Sequence, residues 1–181
     1  ITNLDALKYF RDQVNGKKTF DGKTVLLDAD IDMAGEAWIP TSGVIAYPGT
    51  SFYGTFDGQN HTISNLTCTD NQENYACAGL FGSIYGTIQN LKMTNVNINS
   101  THYAGAIAAY SSSNGSKIIN CSVIGGTITS TPEWLGSEFD NGDKAGAIMG
   151  LNAEGGTVDN CYVEGVTVTA YRDLGAIVGA G

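Results

Sequence analysis

Two short motifs recur along the chain, and this internal repetition constrains the fold more than any other feature. The first motif is AGLFGSI at 78–84, with copies at 104–110, 145–151 and 174–180. The second is HTISNLT at 61–67, with copies at 86–92, 116–122 and 156–162. Repetition every few tens of residues is typical of proteins in which successive structural units stack on one another.

The residues within each repeat favour short strands joined by tight turns. Gly, Thr, Asn and β-branched residues are frequent there and disfavour helix interiors, and the chain has 24 Gly but only 3 Pro. In the last three repeats an inward aliphatic residue follows the motif asparagine at the same interval of 8 residues: Ile98, Ile128 and Val168. We therefore predict an all-β fold, a parallel β-helix of about three faces per coil with four repeats over residues 61–181.

One asparagine and one glycine occupy equivalent places in every repeat. Asparagine tolerates a left-handed backbone, and amides stacked on successive coils can hydrogen-bond as a ladder. We predict such a structural ladder from Asn65, Asn90, Asn120 and Asn160. The repeated glycines are predicted to be sites of bending or close approach: Gly79, Gly105, Gly146 and Gly175.

The first 24 residues are predicted to cover one end of the stack. Leu4, Leu7, Phe10 and Val14 are spaced as the apolar stripe of a short amphipathic helix within residues 3–14. A helix laid across the open end would shield its apolar core and its unpaired strand edges. Residues 25–60 would then form lead-in strands and a first coil, whose aromatic residues either fill the core or stack on a sugar.

An alternating segment in this lead-in, TVLLDADIDM at 24–33, places three carboxylates on one strand face. Asp28, Asp30 and Asp32 resemble the start of a calcium-binding loop, but the residues that follow do not continue that pattern. A solvated strand face is the favoured interpretation, and a metal site, with Ca²⁺ as its ion, is the alternative. We expect no other cofactor.

The four cysteines allow three pairings. Cys68 and Cys77 bracket a polar loop and are a candidate disulfide. Cys121 and Cys161 share one repeat position, so they would stand about one strand spacing apart, roughly 4.8 Å, as stacked buried thiols.

The repeats resemble the GLUG-motif family, named for a Gly-Leu-aliphatic-Gly signature. Residues 78–82, AGLFG, match that signature best, and the run from VLLDADIDM through FYGTFDGQNHTISNL is similar to the lead-in that often precedes such repeats. The resemblance implies a right-handed β-helix in a secreted or surface protein of bacteria, often as one part of a larger protein. It implies no catalytic residues.

The third repeat contains about eleven additional residues, within an insertion at 131–144. Insertions in repeat arrays form loops on one face, where binding function is common. Aromatic rings beside carboxylates can bind a sugar, and the carboxylates can bind calcium. The candidate ligand-binding residues are Glu133, Trp134, Glu138, Phe139, Asp140 and Asp143.

Composition excludes some classes of function. A net charge of -9 disfavours nucleic acid as a partner, and no apolar run is long enough for a membrane span. His61 and His102 are the only histidines, and no nucleophile motif accompanies them. We predict no catalytic residues.

The leading hypothesis is a non-catalytic, secreted or surface-displayed scaffold that binds a glycan or protein. The alternatives are a polysaccharide-degrading enzyme that uses the acidic insertion, and a structural subunit of an extracellular filament or matrix. For the filament we expect end-to-end self-association, because the C-terminal repeat lacks an evident cap and the stack there is expected to be truncated or open.

Overall fold

The computed structural model describes residues 1–38, 45–46, 50–70, 76–111, 113–131 and 143–181. They form one helix, α1 (Leu4–Asn15), and short strands. The lead-in strands are β1 (Thr24–Leu26), β2 (Ile31–Asp32), β3 (Thr55–Asp57), β4 (Thr62–Ser64) and β5 (Thr67–Asp70).

Three units of four strands follow the lead-in. The first unit contains β6 (Cys77–Ala78), β7 (Phe81–Ile84), β8 (Thr87–Gln89) and β9 (Lys92–Ser100). The second contains β10 (Tyr103–Gly105), β11 (Ala108–Ser111), β12 (Lys117–Ile119) and β13 (Ser122–Ser130). The third contains β14 (Lys144–Gly146), β15 (Met149–Asn152), β16 (Thr157–Asp159) and β17 (Tyr162–Ala170). A partial fourth unit contains β18 (Asp173–Gly175) and β19 (Val178–Ala180).

Each strand of a unit pairs in parallel with its counterpart in the next unit, which confirms the predicted all-β class. Sheet 1 has the order β1-β3-β8-β12-β16, and sheet 2 has the order β2-β4-β9-β13-β17, with β5 also paired to β9. Sheet 3 has the order β6-β10-β14-β18, and sheet 4 has the order β7-β11-β15-β19. The described units therefore have four strands, whereas about three faces per coil were predicted, because the first repeated motif, AGLFGSI and its copies, itself contains a corner between sheets 3 and 4.

The register between units matches the predicted equivalences for the aliphatic and glycine positions. Ile98, Ile128 and Val168 are aligned in sheet 2, and Gly105, Gly146 and Gly175 are aligned in sheet 3. A Cβ atom on Gly105 would overlap the carbonyl oxygen of Ala108. The glycine is thus required by the close approach of two sheets.

The prediction of one ladder of four asparagines is wrong for Asn65, because the structure contains two separate columns of hydrogen-bonded asparagine side chains. In the first, Nδ2 of Asn120 donates to Oδ1 of Asn90 (3.3 Å), and Nδ2 of Asn160 donates to Oδ1 of Asn120 (2.7 Å). Asn65 belongs to the second column, where Nδ2 of Asn95 donates to its Oδ1 (2.6 Å).

Both columns mark corners that need a left-handed backbone. The φ angles are 53° at Asn90, 55° at Asn120 and 48° at Asn160 in the first column. The second column has φ angles of 59° at Asn65 and 53° at Asn95, and continues through Gly125 (70°) and Gly165 (62°). Since both corners need the same conformation, IQNL at 88–91 and MTNV at 93–96 have similar patterns. The segment ISNL at 63–66 pairs with the second of these, not the first.

Each column begins at an aspartate of the lead-in. Oδ1 of Asp57 accepts a hydrogen bond from Asn90 Nδ2 (3.0 Å), and Oδ1 of Asp32 accepts one from Asn65 Nδ2 (2.7 Å). Burial opposes ionisation of Asp57, but hydrogen bonds from Asn90, the Gln59 amide and Gln89 outweigh it and lower the pKa of this carboxyl. The amide ladders thus end on charged acceptors, which strengthens their terminal bonds.

The helix predicted within residues 3–14 is confirmed as α1, which packs over the lead-in. Asn3 caps it by accepting a hydrogen bond from the Ala6 amide (2.9 Å). Leu7, Phe10 and Val14 are buried. The ring of Phe10 contacts the rings of Phe20, Phe52, Phe56 and Phe81, with centroids 5.2–6.5 Å apart. An aromatic cluster therefore joins the helix to the first strands.

The described lead-in aromatics mostly fill this core, which is the first of the two interpretations given for them. Trp38, Phe52 and Phe56 are fully buried. Tyr53 is exposed and stacks on Tyr85 with centroids 5.0 Å apart. Tyr47 lies outside the described residues.

Substitutions at Asn120 separate the two requirements of the ladder. Asn120→Gly keeps the left-handed backbone but removes the amide, and we expect a loss of about 1 kcal/mol in the free energy of unfolding. Asn120→Ala also removes the amide but keeps a Cβ at positive φ, without the polar side chain that lets asparagine adopt this conformation, and we expect an additional loss of about 1–2 kcal/mol relative to Asn120→Gly. Urea denaturation measures both values, and equal losses for the two variants would contradict a left-handed requirement.

The Asp57 carboxyl predicts a dependence of stability on pH. Its folded pKa lies below the reference value of 3.8, so its stabilising effect is present above that pH and is lost as pH falls through the folded pKa. We expect Asp57→Asn to lose less unfolding free energy than the wild type between about pH 4 and pH 2. Asp21→Asn, in the exposed turn after α1, is the control and should follow the wild-type curve.

Candidate functional site

The insertion predicted at 131–144 lies at the corner between sheets 2 and 3. Strand β13 ends at Ser130, in register with Ser100, and β14 begins at Lys144, in register with Tyr103. Ser130 and Lys144 are 14 positions apart in the sequence, against 3 for Ser100 and Tyr103, a difference of 11 residues. The register between units therefore agrees with an insertion of eleven residues at this corner.

Most of the predicted ligand-binding residues lie outside the described residues: Glu133, Trp134, Glu138, Phe139 and Asp140. Their role stays a prediction. Asp143 is described and is only 1% exposed, so it lies inside the corner rather than on its surface. Its carbonyl oxygen accepts a hydrogen bond from the Asp173 amide (3.1 Å) and so fixes the start of β14 to β18.

A buried polar column, which is not among the features predicted from the sequence, supports this corner. Asp70, Ser100 and Ser130 are in register on successive strands and are at most 1% exposed. Oδ2 of Asp70 accepts a hydrogen bond from the Cys77 amide (2.7 Å), which joins the end of β5 to the start of β6. A signal was present in TCTD, NINS and TITS, because strand alternation places the last residue of each segment inward.

His102 links this column to the next unit through its backbone. Its amide donates to Ser100 Oγ (3.2 Å), and its carbonyl oxygen accepts from Ser130 Oγ (2.6 Å) and from the Lys144 amide (2.8 Å). Nδ1 of its ring lies 3.2 Å from the Thr101 hydroxyl. The side chains of Ser100 and Ser130 thus both hydrogen-bond to the backbone of His102, and they stabilise the two-residue connection at 101–102.

An ion pair lies at the foot of the insertion. Nζ of Lys144 is 2.7 Å from Oδ2 of Asp173 in the next unit, and the lysine side chain is mostly buried. Together with the polar column, it gives the insertion a base whose backbone is hydrogen-bonded to both neighbouring units. Such a base can hold a loop in a defined position for binding.

The structure does not bring together the three carboxylates considered as a metal site. They do alternate outward, as predicted, but each accepts a hydrogen bond from a different residue of the segment 59–65: Asp28 from Gln59 Nε2 (2.5 Å), Asp30 from the Thr62 amide (2.8 Å) and Asp32 from Asn65 Nδ2 (2.7 Å). Within the described ranges, no three His, Cys, Asp or Glu residues are grouped to hold a metal ion. The three side chains are exposed on the strand face, and the calcium site stays a prediction.

The candidate disulfide between Cys68 and Cys77 is absent, since both are free and buried thiols. Burial raises the pKa of Cys68 to about 12, and burial with the nearby Asp70 charge also raises that of Cys77. Polar support of this loop comes instead from the bond between Asp70 and the Cys77 amide.

No helix in the described part of the chain is long and apolar enough to cross a membrane.

Comparison with solved structures finds a crystal structure from Bacteroides ovatus that is provisionally described as an immunoglobulin A1 protease. The similarity has a TM-score of 0.64 at 23% sequence identity and covers 99% of this chain. The chain spans 60% of the length of that protein. At this identity the similarity concerns the fold alone. No family model matches the chain, and no curated protein matches it.

Loss of the Asp70 carboxylate should destabilise the protein. Asp70→Ala leaves the buried Cys77 amide without this acceptor, and we expect a loss of roughly 1–3 kcal/mol in the free energy of unfolding. Asp70→Asn retains an acceptor oxygen and should lose less. Thr69→Ala, at the neighbouring exposed position, is the control. Denaturant titration measures these free energies of unfolding. Equal values for Asp70→Ala and Thr69→Ala would contradict a structural role for the buried carboxylate.

Proposed function

We propose that this chain is a right-handed parallel β-helix module of a secreted or surface protein that binds a glycan or protein ligand and is not itself catalytic. Residues 132–142 would present the binding surface. The observation that carries this proposal is the connection at the corner between sheets 2 and 3. Two residues form it in the second and fourth units, at 101–102 and 171–172, whereas thirteen form it at 131–143.

The proposed β-helix is supported by the register of the units. Every named strand pairs in parallel with its counterpart, and the chain returns to each sheet once per unit. The handedness rests on the resemblance to GLUG-motif repeats.

The chemistry of the insertion favours a carbohydrate or a glycoprotein. Trp134 and Phe139 can stack on the apolar face of a sugar ring, while Glu133, Glu138 and Asp140 can accept its hydroxyl hydrogens. The base of the loop is held by backbone hydrogen bonds, which would lower the entropy lost on binding. The net charge of -9 disfavours polyanionic ligands.

A second candidate is an enzyme that cleaves a polysaccharide or a glycoprotein. Paired carboxylates such as Glu133 and Glu138 can act as acid and base in glycoside hydrolysis. The described activity of the Bacteroides ovatus protein adds immunoglobulin A1 to the substrates that deserve a test. Because the similarity concerns the fold alone, it assigns no catalytic residue to this chain.

A deletion of residues 132–142 tests the proposed site. It leaves Thr131 and Asp143 between Ser130 and Lys144, the same two-residue connection as Thr101–His102. The matched control shortens another connection at this corner by deletion of 71–74, which leaves two residues between Asp70 and Cys77. Binding is measured on a glycan array and to immobilised immunoglobulin A1.

We expect the wild type and the 71–74 deletion to bind a ligand that the 132–142 deletion does not, with Trp134→Ala weakening binding at least tenfold. Equal binding by both deletions would contradict the site, and no binding by the wild type would contradict the function. Cleavage of a glycan or of immunoglobulin A1 that Glu133→Gln or Glu138→Gln abolishes would establish the enzyme instead.

A further inference from the structure

Cys121 and Cys161 stand side by side in successive units. The residues around them are paired in register, Ile119 with Asp159 and Ser122 with Tyr162, and the Tyr162 amide donates to the Cys121 carbonyl oxygen (2.9 Å). Neighbouring strands are about 4.8 Å apart. This spacing lies within the Cα–Cα range of disulfides, about 4.4–6.8 Å.

The two sulfurs occupy equivalent surroundings. Sγ of Cys121 is 3.3 Å from the Ile119 carbonyl oxygen, and Sγ of Cys161 is 3.3 Å from that of Asp159. Each sulfur also faces a carbonyl of the preceding unit, Ile88 at 3.8 Å and Ile118 at 3.7 Å. Both side chains therefore point in the same direction from adjacent strands. Cys121 is buried, whereas Cys161 is partly exposed.

We propose that Cys121 and Cys161 are a modification site, a reversible disulfide that joins two successive units through exchange with a small-molecule disulfide. The Cys161 thiolate attacks one sulfur of that disulfide, forms a mixed disulfide and releases one thiolate. The Cys121 thiol then loses its proton, attacks the Cys161 sulfur and expels the second thiolate. Two electrons pass from the protein thiols to the external disulfide, and the two protons end on the released thiols.

The roles of the two cysteines follow from their surroundings. The hydrogen bond from the Cys121 thiol stabilises the thiolate of Cys161 and lowers its pKa, while the same contact and burial raise the pKa of Cys121. The thiolate is the attacking species in exchange, so the partly exposed Cys161 reacts first and the buried Cys121 resolves the intermediate.

The register also predicts that the bond is readily reduced. Parallel side chains on paired strands keep their Cβ atoms near the strand spacing of about 4.8 Å, whereas relaxed disulfides prefer about 3.5–4.5 Å. Formation of the bond requires a small shift of the two strands. A strained disulfide has a higher reduction potential and is reduced more easily than an unstrained one.

Cys68 and Cys77 provide an internal control. Both are buried and have raised pKa values, so neither offers an accessible thiolate to an external disulfide. Exchange should therefore be confined to the other pair.

The test incubates the folded protein with oxidised glutathione, blocks remaining thiols with an alkylating agent and maps peptides by mass spectrometry. We expect loss of two of the four free thiols, a cross-linked peptide pair containing Cys121 and Cys161, and recovery of both thiols with dithiothreitol. Cys121→Ser should retain one glutathione on Cys161, Cys161→Ser should retain none, and Cys68→Ser should cross-link as the wild type does.

Three results would overturn the proposal. They are an unmodified wild type, a glutathione adduct on wild-type Cys161 that persists without a cross-link, and a link between Cys68 and Cys77. The peptide map of the wild type decides among these outcomes without any variant. Circular dichroism before oxidation confirms that each serine variant is folded.

Discussion

The structure depends on hydrogen bonding in register between successive units. Because each strand finds its partner in the next unit, a backbone conformation that occurs at one corner must recur at the same corner of every unit. The left-handed corners show this constraint, with positive φ values at Asn90, Asn120 and Asn160 in one column and at Asn65, Asn95, Gly125 and Gly165 in the other. The asparagine amides add side-chain bonds along the same direction, and the ladders end at Asp57 and Asp32.

The same constraint explains where the chain can vary. Connections at the corner between sheets 2 and 3 range from two residues, at 101–102, to thirteen, at 131–143, yet the flanking strands stay in register. The buried polar column and the backbone of His102 hold the strand ends on both sides. The eleven additional residues of this connection therefore leave the parallel pairing of the flanking strands unchanged.

Function therefore separates from architecture within this chain. The repeated asparagines, glycines and inward aliphatic residues serve the stacking, and their spacing carries no information about a ligand. The residues that we propose for binding, such as Trp134 and Glu138, interrupt the repeat. The similarity to a longer Bacteroides ovatus protein covers 99% of this chain and concerns the fold alone, so the ligand is left to be determined by experiment.

The sequence by itself determined the features that depend on local patterns repeated at fixed spacing. These are the helix Leu4–Asn15, the parallel β class, the alignment of Ile98 with Ile128 and Val168, and the repeated glycines. Only the tertiary structure decided that Asn65 pairs with Asn95, that Asp70, Ser100 and Ser130 share one buried column, and that Asp28, Asp30 and Asp32 have separate partners. The physical reason is that two corners of a unit need the same left-handed conformation and hence the same short motif. Hydrogen bonding between residues about thirty positions apart, which no local pattern contains, distinguishes one corner from the other.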